Sequence, residues 1–139
     1  MRPCLTAFLA ACALTASAGA GVAQSPGATQ QGALKRTVLQ QKPLSVAGHE
    51  GIQALAELAP GGTAARHTHP GEEFGYVIEG TATLEITGQP ARTLKAGDVF
   101  FIPAYTPHTA RNTGSIPWKI IGTYFIESGK PLATPAPAP

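Results

Sequence analysis

Cysteine is nearly absent. Cys4 and Cys12 are the only two and both fall in the first twelve residues, which leaves no thiol from residue 24 onward. A disulfide framework and a thiolate metal ligand are thereby excluded from that stretch. Charge is scarce as well, at 13% of residues. Ten basic residues against eight acidic ones give a formal net charge of +2, or +1 without Arg2 (nine against eight). No basic run and no basic patch interleaved with aromatics occurs, so nucleic-acid binding has nothing to rest on. Long apolar runs are missing too. The apolar stretch Leu5 to Leu14 is about half of the ~20 residues that a lasting membrane span needs. Neither an internal repeat, a nucleophile triad, a phosphate loop nor a dinucleotide fingerprint is present.

Turn residues, by contrast, are plentiful. Sixteen glycines and thirteen prolines in 139 residues suit many short strands better than helices. The length allows one domain, and 43% hydrophobic residues can fill a modest β core. Residues 1–23 read as a secretory leader, with Arg2 as the n-region and small residues before cleavage after Ala20 or Ala23. That reading predicts a periplasmic or secreted protein with no membrane span after leader removal. The rival is a lipid anchor on Cys12, because Leu9-Ala10-Ala11-Cys12 resembles a lipobox. Residues 24–33 are expected to form a flexible arm, 34–127 a β-barrel domain, and 128–139 a Pro/Ala-rich tail, extended and unpacked.

Period-two alternation marks the strands inside that domain. Lys35 to Gln41, Gly51 to Ala59, Phe74 to Ile78, Thr81 to Thr87, Arg92 to Lys95, Val99 to Ile102, His108 to Asn112 and Trp118 to Ile126 read as strands. In the last of these Trp118, Ile120, Gly122, Tyr124 and Ile126 share one face. The expected class is all-β, a single jelly-roll barrel.

The chemistry is concentrated in four residues. They stand in Gly61-x5-His67-x-His69-x3-Glu73-x6-Gly80 and Gly97-x5-Pro103-x4-His108-x3-Asn112. Residues i and i+2 of a strand point to the same face, so His67 and His69 can address one ion. Pro70-Gly71 breaks that strand, Glu73 returns on the next, and His108 comes from a remote one. Three imidazoles and a carboxylate form a complete protein shell for one divalent transition metal. Mn, Fe, Ni, Cu and Zn are not distinguished by such ligands. On a six-coordinate ion, four protein donors leave two neighbouring positions open, which a catalytic metal needs and a structural one lacks.

Residues 61–80, GGTAARHTHPGEEFGYVIEG, and residues 97–112, GDVFFIPAYTPHTARN, resemble the two motifs of the cupin superfamily. The resemblance runs from Leu34 to Ile126, and the sixteen residues from Thr81 to Ala96 between the motifs are similar to the spacing in small single-domain bacterial cupins. It implies a double-stranded β-helix, assigns His67, His69, Glu73 and His108 as metal ligands, and gives Glu73 a second role as a base. Tyr105 departs from the pattern, since the second motif usually has Gly there. A left-handed backbone at a non-Gly residue costs roughly 1–2 kcal/mol, so a different turn type is the simpler expectation.

Around the ligands, Tyr76, Tyr105, Trp118, Tyr124, Arg66 and Arg111 are candidates for a substrate pocket, with Phe100 as a further wall. Glu72 should face away from Glu73 toward solvent, Asp98 should bind turn amides, Asn112 should anchor strand ends, and His49 should take no part. Two functions from different classes fit: a metal-dependent enzyme of dioxygenase, isomerase or lyase type acting on a small metabolite, or a non-catalytic metal-dependent binding protein. A homodimer, pairing through Lys35 to Gln41 as an edge strand, completes the expectations.

Overall fold

Alternating burial runs through nearly every strand and sorts the side chains into an inner and an outer set. The structure, a computed structural model, describes residues 28–31 and 33–138. The expected leader, with Cys4 and Cys12, lies outside the described residues. Among the described residues eleven strands follow in chain order: β1 (Ala28–Gln31), β2 (Leu34–Pro43), β3 (His49–Leu58), β4 (Thr63–Thr68), β5 (Gly71–Glu79), β6 (Thr81–Ile86), β7 (Arg92–Lys95), β8 (Val99–Ile102), β9 (His108–Asn112), β10 (Trp118–Glu127) and β11 (Thr134–Pro135). They form an antiparallel sheet of six, ordered β1-β2-β3-β10-β5-β8, and another of five, ordered β11-β4-β9-β6-β7. The protein is thus an all-β double-stranded β-helix of the jelly-roll kind.

The inner faces meet in a core of Leu34, Leu58, Val77, Leu84, Leu94, Phe100, Ile102, Trp118 and Ile120, among others. Each large aliphatic buried there stabilises the fold by about 1.5–3 kcal/mol. Trp118, Ile120, Tyr124 and Ile126 are all buried on β10, the face that the alternation indicated. Asn112, 1% exposed, ties strand ends together. Its Nδ2 donates to the carbonyls of Leu58 and Ile116, both at 2.8 Å, and its Oδ1 accepts from the Gly114 amide at 2.9 Å. A buried amide so fully satisfied is structural.

Both ends of the domain differ from expectation. Part of the arm expected to be flexible forms β1, which pairs with Leu34 to Thr37 of β2. β2 is therefore covered along its first half and is no free edge there. The tail is extended but not unpacked: Thr134 and Pro135 pair with Thr68 and His67 of β4, and the Ala136 amide donates to the Arg66 carbonyl at 3.0 Å. Leu132 packs against Ile52, Ala54, Tyr124 and Ile126. Alanine and proline lack the charge that would keep such a segment in water, and a sheet edge offers it backbone donors.

Candidate metal centre

One bulge decides where His67 points. β4 pairs with β9 as Thr63↔Arg111 and Ala64↔Ala110, then as His67↔His108. Three steps along β4 thus match two along β9, so one extra residue is inserted. Strict alternation from the buried Ala64 would turn His67 outward. The bulge reverses the parity, and His67 and His69 are 3% and 1% exposed. His108, the cross-strand partner of His67, and Glu73 on β5 are each 3% exposed. Glu73 belongs to the six-stranded sheet and the histidines to the other side, so the cluster exists only once the two sheets close.

The three imidazoles offer ligand nitrogens all within 4.8 Å of one another. Each Nδ1 lies against a backbone carbonyl: His67 on Ala65 at 2.7 Å, His108 on Thr106 at 2.9 Å, and His69 on Leu132 of the tail at 2.5 Å. A carbonyl only accepts, so Nδ1 carries the proton and Nε2 presents a bare lone pair. The Nε2 of His69 is buried without a hydrogen-bond partner, yet it stands 3.0 Å from Glu73 Oε2, with His108 Nε2 at 3.7 Å from the same oxygen. A lone pair and a carboxylate oxygen facing each other at that distance need a shared proton or a metal ion between them. Ligands ~2.1 Å from one ion and at right angles to each other lie ~3.0 Å apart. The residues fit a single divalent metal.

Protonation supports the same chemistry. Burial, then the neighbouring His108 and His69, lower the His67 pKa to about 3. Burial is also the chief cause that lowers His108, outweighing the Glu73 charge. Burial alone would raise the Glu73 carboxyl, but contact with His69, then His108 and the Tyr124 hydroxyl, bring it down to about 2. At neutral pH the carboxylate is charged and those two imidazoles are neutral, the forms that bind metal. Tyr124, 1% exposed, is raised well above the usual phenol range by burial and by Glu73, so it keeps its proton.

A small cavity adjoins the cluster, with about 30 Å³ open to water centres, where one water needs at least ~10–15 Å³. His67, Glu73, His108, Phe100, Trp118 and Tyr124 line it. Gly75 lets the Phe100 ring cross β5, for a Cβ there would lie 2.0 Å from the ring.

The other pocket candidates lie elsewhere. Tyr76 is half exposed on the outer face, because it shares parity with Glu72 and Phe74 and not with Glu73. Arg111 is exposed, and Arg66 turns along the surface to donate to Thr87 Oγ1. Tyr105 is 52% exposed and contacts Glu127 and Lys130. Its φ of 56° shows that the turn is left-handed after all, anchored by its amide on the His69 carbonyl at 2.9 Å. Glu72 is exposed, Asp98 Oδ2 accepts from the Lys95 amide at 2.9 Å, and His49 stays outside the cluster.

Arg36 was missed. It is 5% exposed and lines the cavity. The signal was available in Leu34-x-Arg36-x-Val38, an arginine in the middle of an apolar period-two face.

The chain is similar to known proteins. A 32%-identical match over 100 residues, 69% of this chain and 75% of the relative, is an uncharacterized protein of Methanocaldococcus jannaschii. The oxalate decarboxylase of Lactobacillus farciminis, solved as a formate complex, superposes with a TM-score of 0.59 at 26% identity. That match covers 78% of this chain but only 32% of the decarboxylase chain, so the whole enzyme is far longer than the shared unit. A structure described as a predicted oxalate decarboxylase from Thermotoga maritima gives a TM-score of 0.56 at 26% identity, covering 68% of this chain and 80% of that one. The model of the cupin domain matches residues 54–124, half of the chain and all four of the clustered side chains, and the chain belongs to the cupin family.

Proposed function

We propose that this is an exported, metal-dependent enzyme of dioxygenase, lyase, isomerase or decarboxylase type, acting on a small organic molecule. The observation that carries the reading is the bare Nε2 of His69, buried against the Glu73 carboxylate at 3.0 Å. Such a pair is repulsive until a proton or a metal ion is held between them, and the Nε2 atoms of His67 and His108 converging on the same point favour the metal ion. His67, His69, Glu73 and His108 would hold it, and a divalent transition metal bound there supplies a Lewis acid for a coordinated substrate oxygen. His67 and His108 stay neutral, and all three imidazoles are fixed by their Nδ1 contacts. Glu73, ionised and beside the Tyr124 hydroxyl, can take a proton from bound substrate, with Tyr124 holding the carboxylate in place. Trp118, Phe100 and Ile102 exclude bulk water from this space. The solved relatives named as decarboxylases support enzymatic use of the same barrel.

Export rests on the sequence of residues 1–23; among the described residues no helix is long and apolar enough to cross a membrane. Intact mass of exported protein tests it, with a mature start at Gly21 or Gln24 expected and a lipidated Cys12 contradicting it. A homodimer is proposed through the outer face of the six-stranded sheet. There Phe74, Tyr76, Val99, Phe101 and Phe125 are exposed together, and exposed apolar patches of this kind mark contact surfaces. Light scattering of Phe101→Lys should report a monomer where the parent is a dimer.

The functional test is metal-stripped protein, reloaded with Mn, Fe, Ni, Cu or Zn one at a time and screened for turnover of small organic acids, diketones and diols. Turnover restored by one ion and absent in His108→Ala is expected. Stoichiometric metal with no turnover of any substrate would leave a binding protein instead.

A further inference from the structure

The cavity holds a charge that the metal centre does not use. Arg36 reaches it from β2, 5% exposed, and its Nε has no hydrogen-bond partner. Among the described residues no carboxylate lies within ion-pairing distance of its guanidinium. Lys35 next to it in sequence faces outward and pairs with Glu57 at 3.1 Å, so alternation alone sends Arg36 in. Its surroundings are apolar: Leu34, Ala56, Leu84 and Ile120 line the same space. A second donor there is also unanswered, since the buried Trp118 Nε1 has no partner. Arg36 stands near enough to the metal cluster for its charge to be felt by His67, His108 and Tyr124.

Charge and hydrogen bonding both specify the missing partner. A divalent ion, the guanidinium and the Glu73 carboxylate, with neutral imidazoles, sum to two positive charges in a closed space. Among the described residues Glu73 is the only acid lining the cavity, and it is engaged by His69 and His108. Two unfilled donors and an open metal position call for an acceptor-rich anion. A buried guanidinium without counter-charge is unfavourable, whereas its planar fork matches a carboxylate on two parallel N–H bonds.

We propose that Arg36 is the substrate-binding residue for a carboxylate, and that the substrate is a small organic acid with a second oxygen, a 2-hydroxy, 2-oxo or dicarboxylic acid. The carboxylate meets Arg36, Trp118 Nε1 donates to the same acid, and the metal takes the second oxygen. The small cavity, with about 30 Å³ open to water centres, favours the smallest acids of this class. This rests on the metal-centre reading above.

Glycolate serves as the probe and ethylene glycol as its neutral counterpart of like size. Each is titrated by calorimetry into cobalt-loaded wild type, Arg36→Gln and Arg36→Lys, with cobalt stoichiometry measured first. The wild type should take one cobalt and bind glycolate at least tenfold more tightly than ethylene glycol. Arg36→Gln should keep its cobalt and lose that preference, and Arg36→Lys should recover part of it. A wild type that takes no cobalt overturns the metal-centre reading and this one with it. One cobalt with equal affinity for the two probes, or unchanged glycolate affinity in Arg36→Gln, overturns this inference alone. Because the wild-type comparison needs no variant, a poorly folding Arg36→Gln does not protect the proposal.

Discussion

Removing the tail should weaken metal binding although the tail supplies no ligand. Leu132 accepts from His69 Nδ1 at 2.5 Å, the one imidazole orientation that depends on a contact 63 residues away in sequence. His67 and His108 use carbonyls two residues before them and keep those in any truncation. Ending the chain at Lys130 deletes the Leu132 carbonyl, the β11–β4 pairing and the Leu132 side chain packed on Ile52 and Tyr124. Loss of a partner that orients a metal-binding histidine typically costs 10–100-fold in metal affinity, or about 1.4–2.7 kcal/mol. Chain ending at Ala136 keeps all three features and serves as the control. Competition against a chromophoric chelator should therefore give a dissociation constant raised about 10–100-fold for the Lys130 end and unchanged for the Ala136 end. Circular dichroism checks that both remain folded. A folded protein ending at Lys130 with wild-type affinity would refute the reasoning, because His69 would then need no carbonyl to hold its tautomer.

Other outcomes follow from the same geometry. Gly75→Ala should lower thermal stability by about 1–3 kcal/mol through overpacking, as its Cβ would strike Phe100 at 2.0 Å; an unchanged melting temperature would contradict that contact. At Tyr105, whose φ is 56°, Tyr105→Gly should be more stable than Tyr105→Ala by about 1 kcal/mol in urea titration, and equality would remove the left-handed turn. Metal-free protein should lose stability as pH falls from about 6.5 toward 3. The unfolded His67 takes up a proton below its ordinary value of about 6.5, while in the fold it resists protonation down to about 3. The unfolded state therefore binds more protons in that window, and stability rises with pH across it. Glu73, lowered from 4.5 to about 2, adds a loss of the same sign below pH 4.5. Melting temperatures of metal-free protein that stay flat between pH 7 and 4 would contradict the His67 shift, and no further loss below pH 4.5 would contradict that of Glu73.

Strand positions were legible because alternation needs only local sequence. β7, β8 and β9 occur where the pattern indicated, since their boundaries carry Gly or Pro. The convergence of His67, His69, Glu73 and His108 was legible from spacing, but the bulge that turns His67 inward was not. It is set by pairing with β9, a strand about 40 residues downstream. Tyr76 was misplaced for the same reason of parity: counting from Glu73 puts it outside. Tyr105 showed its departure from glycine in the sequence, yet only the hydrogen bond to His69 reveals that the left-handed conformation is kept. The tail looked unpacked because Ala-Pro repeats have little apolar surface, and its docking depends on a sheet edge invisible locally. Arg36 was read as a strand residue without its face, and alternation with Leu34 and Val38 would have supplied it.

Diffraction at the absorption edge of the loaded metal tests the central claim most directly. One anomalous peak is expected, about 2.0–2.2 Å from Nε2 of His67, His69 and His108 and from a Glu73 oxygen. Peaks only at the surface, or imidazoles turned so that Nε2 faces away from Glu73, would contradict it.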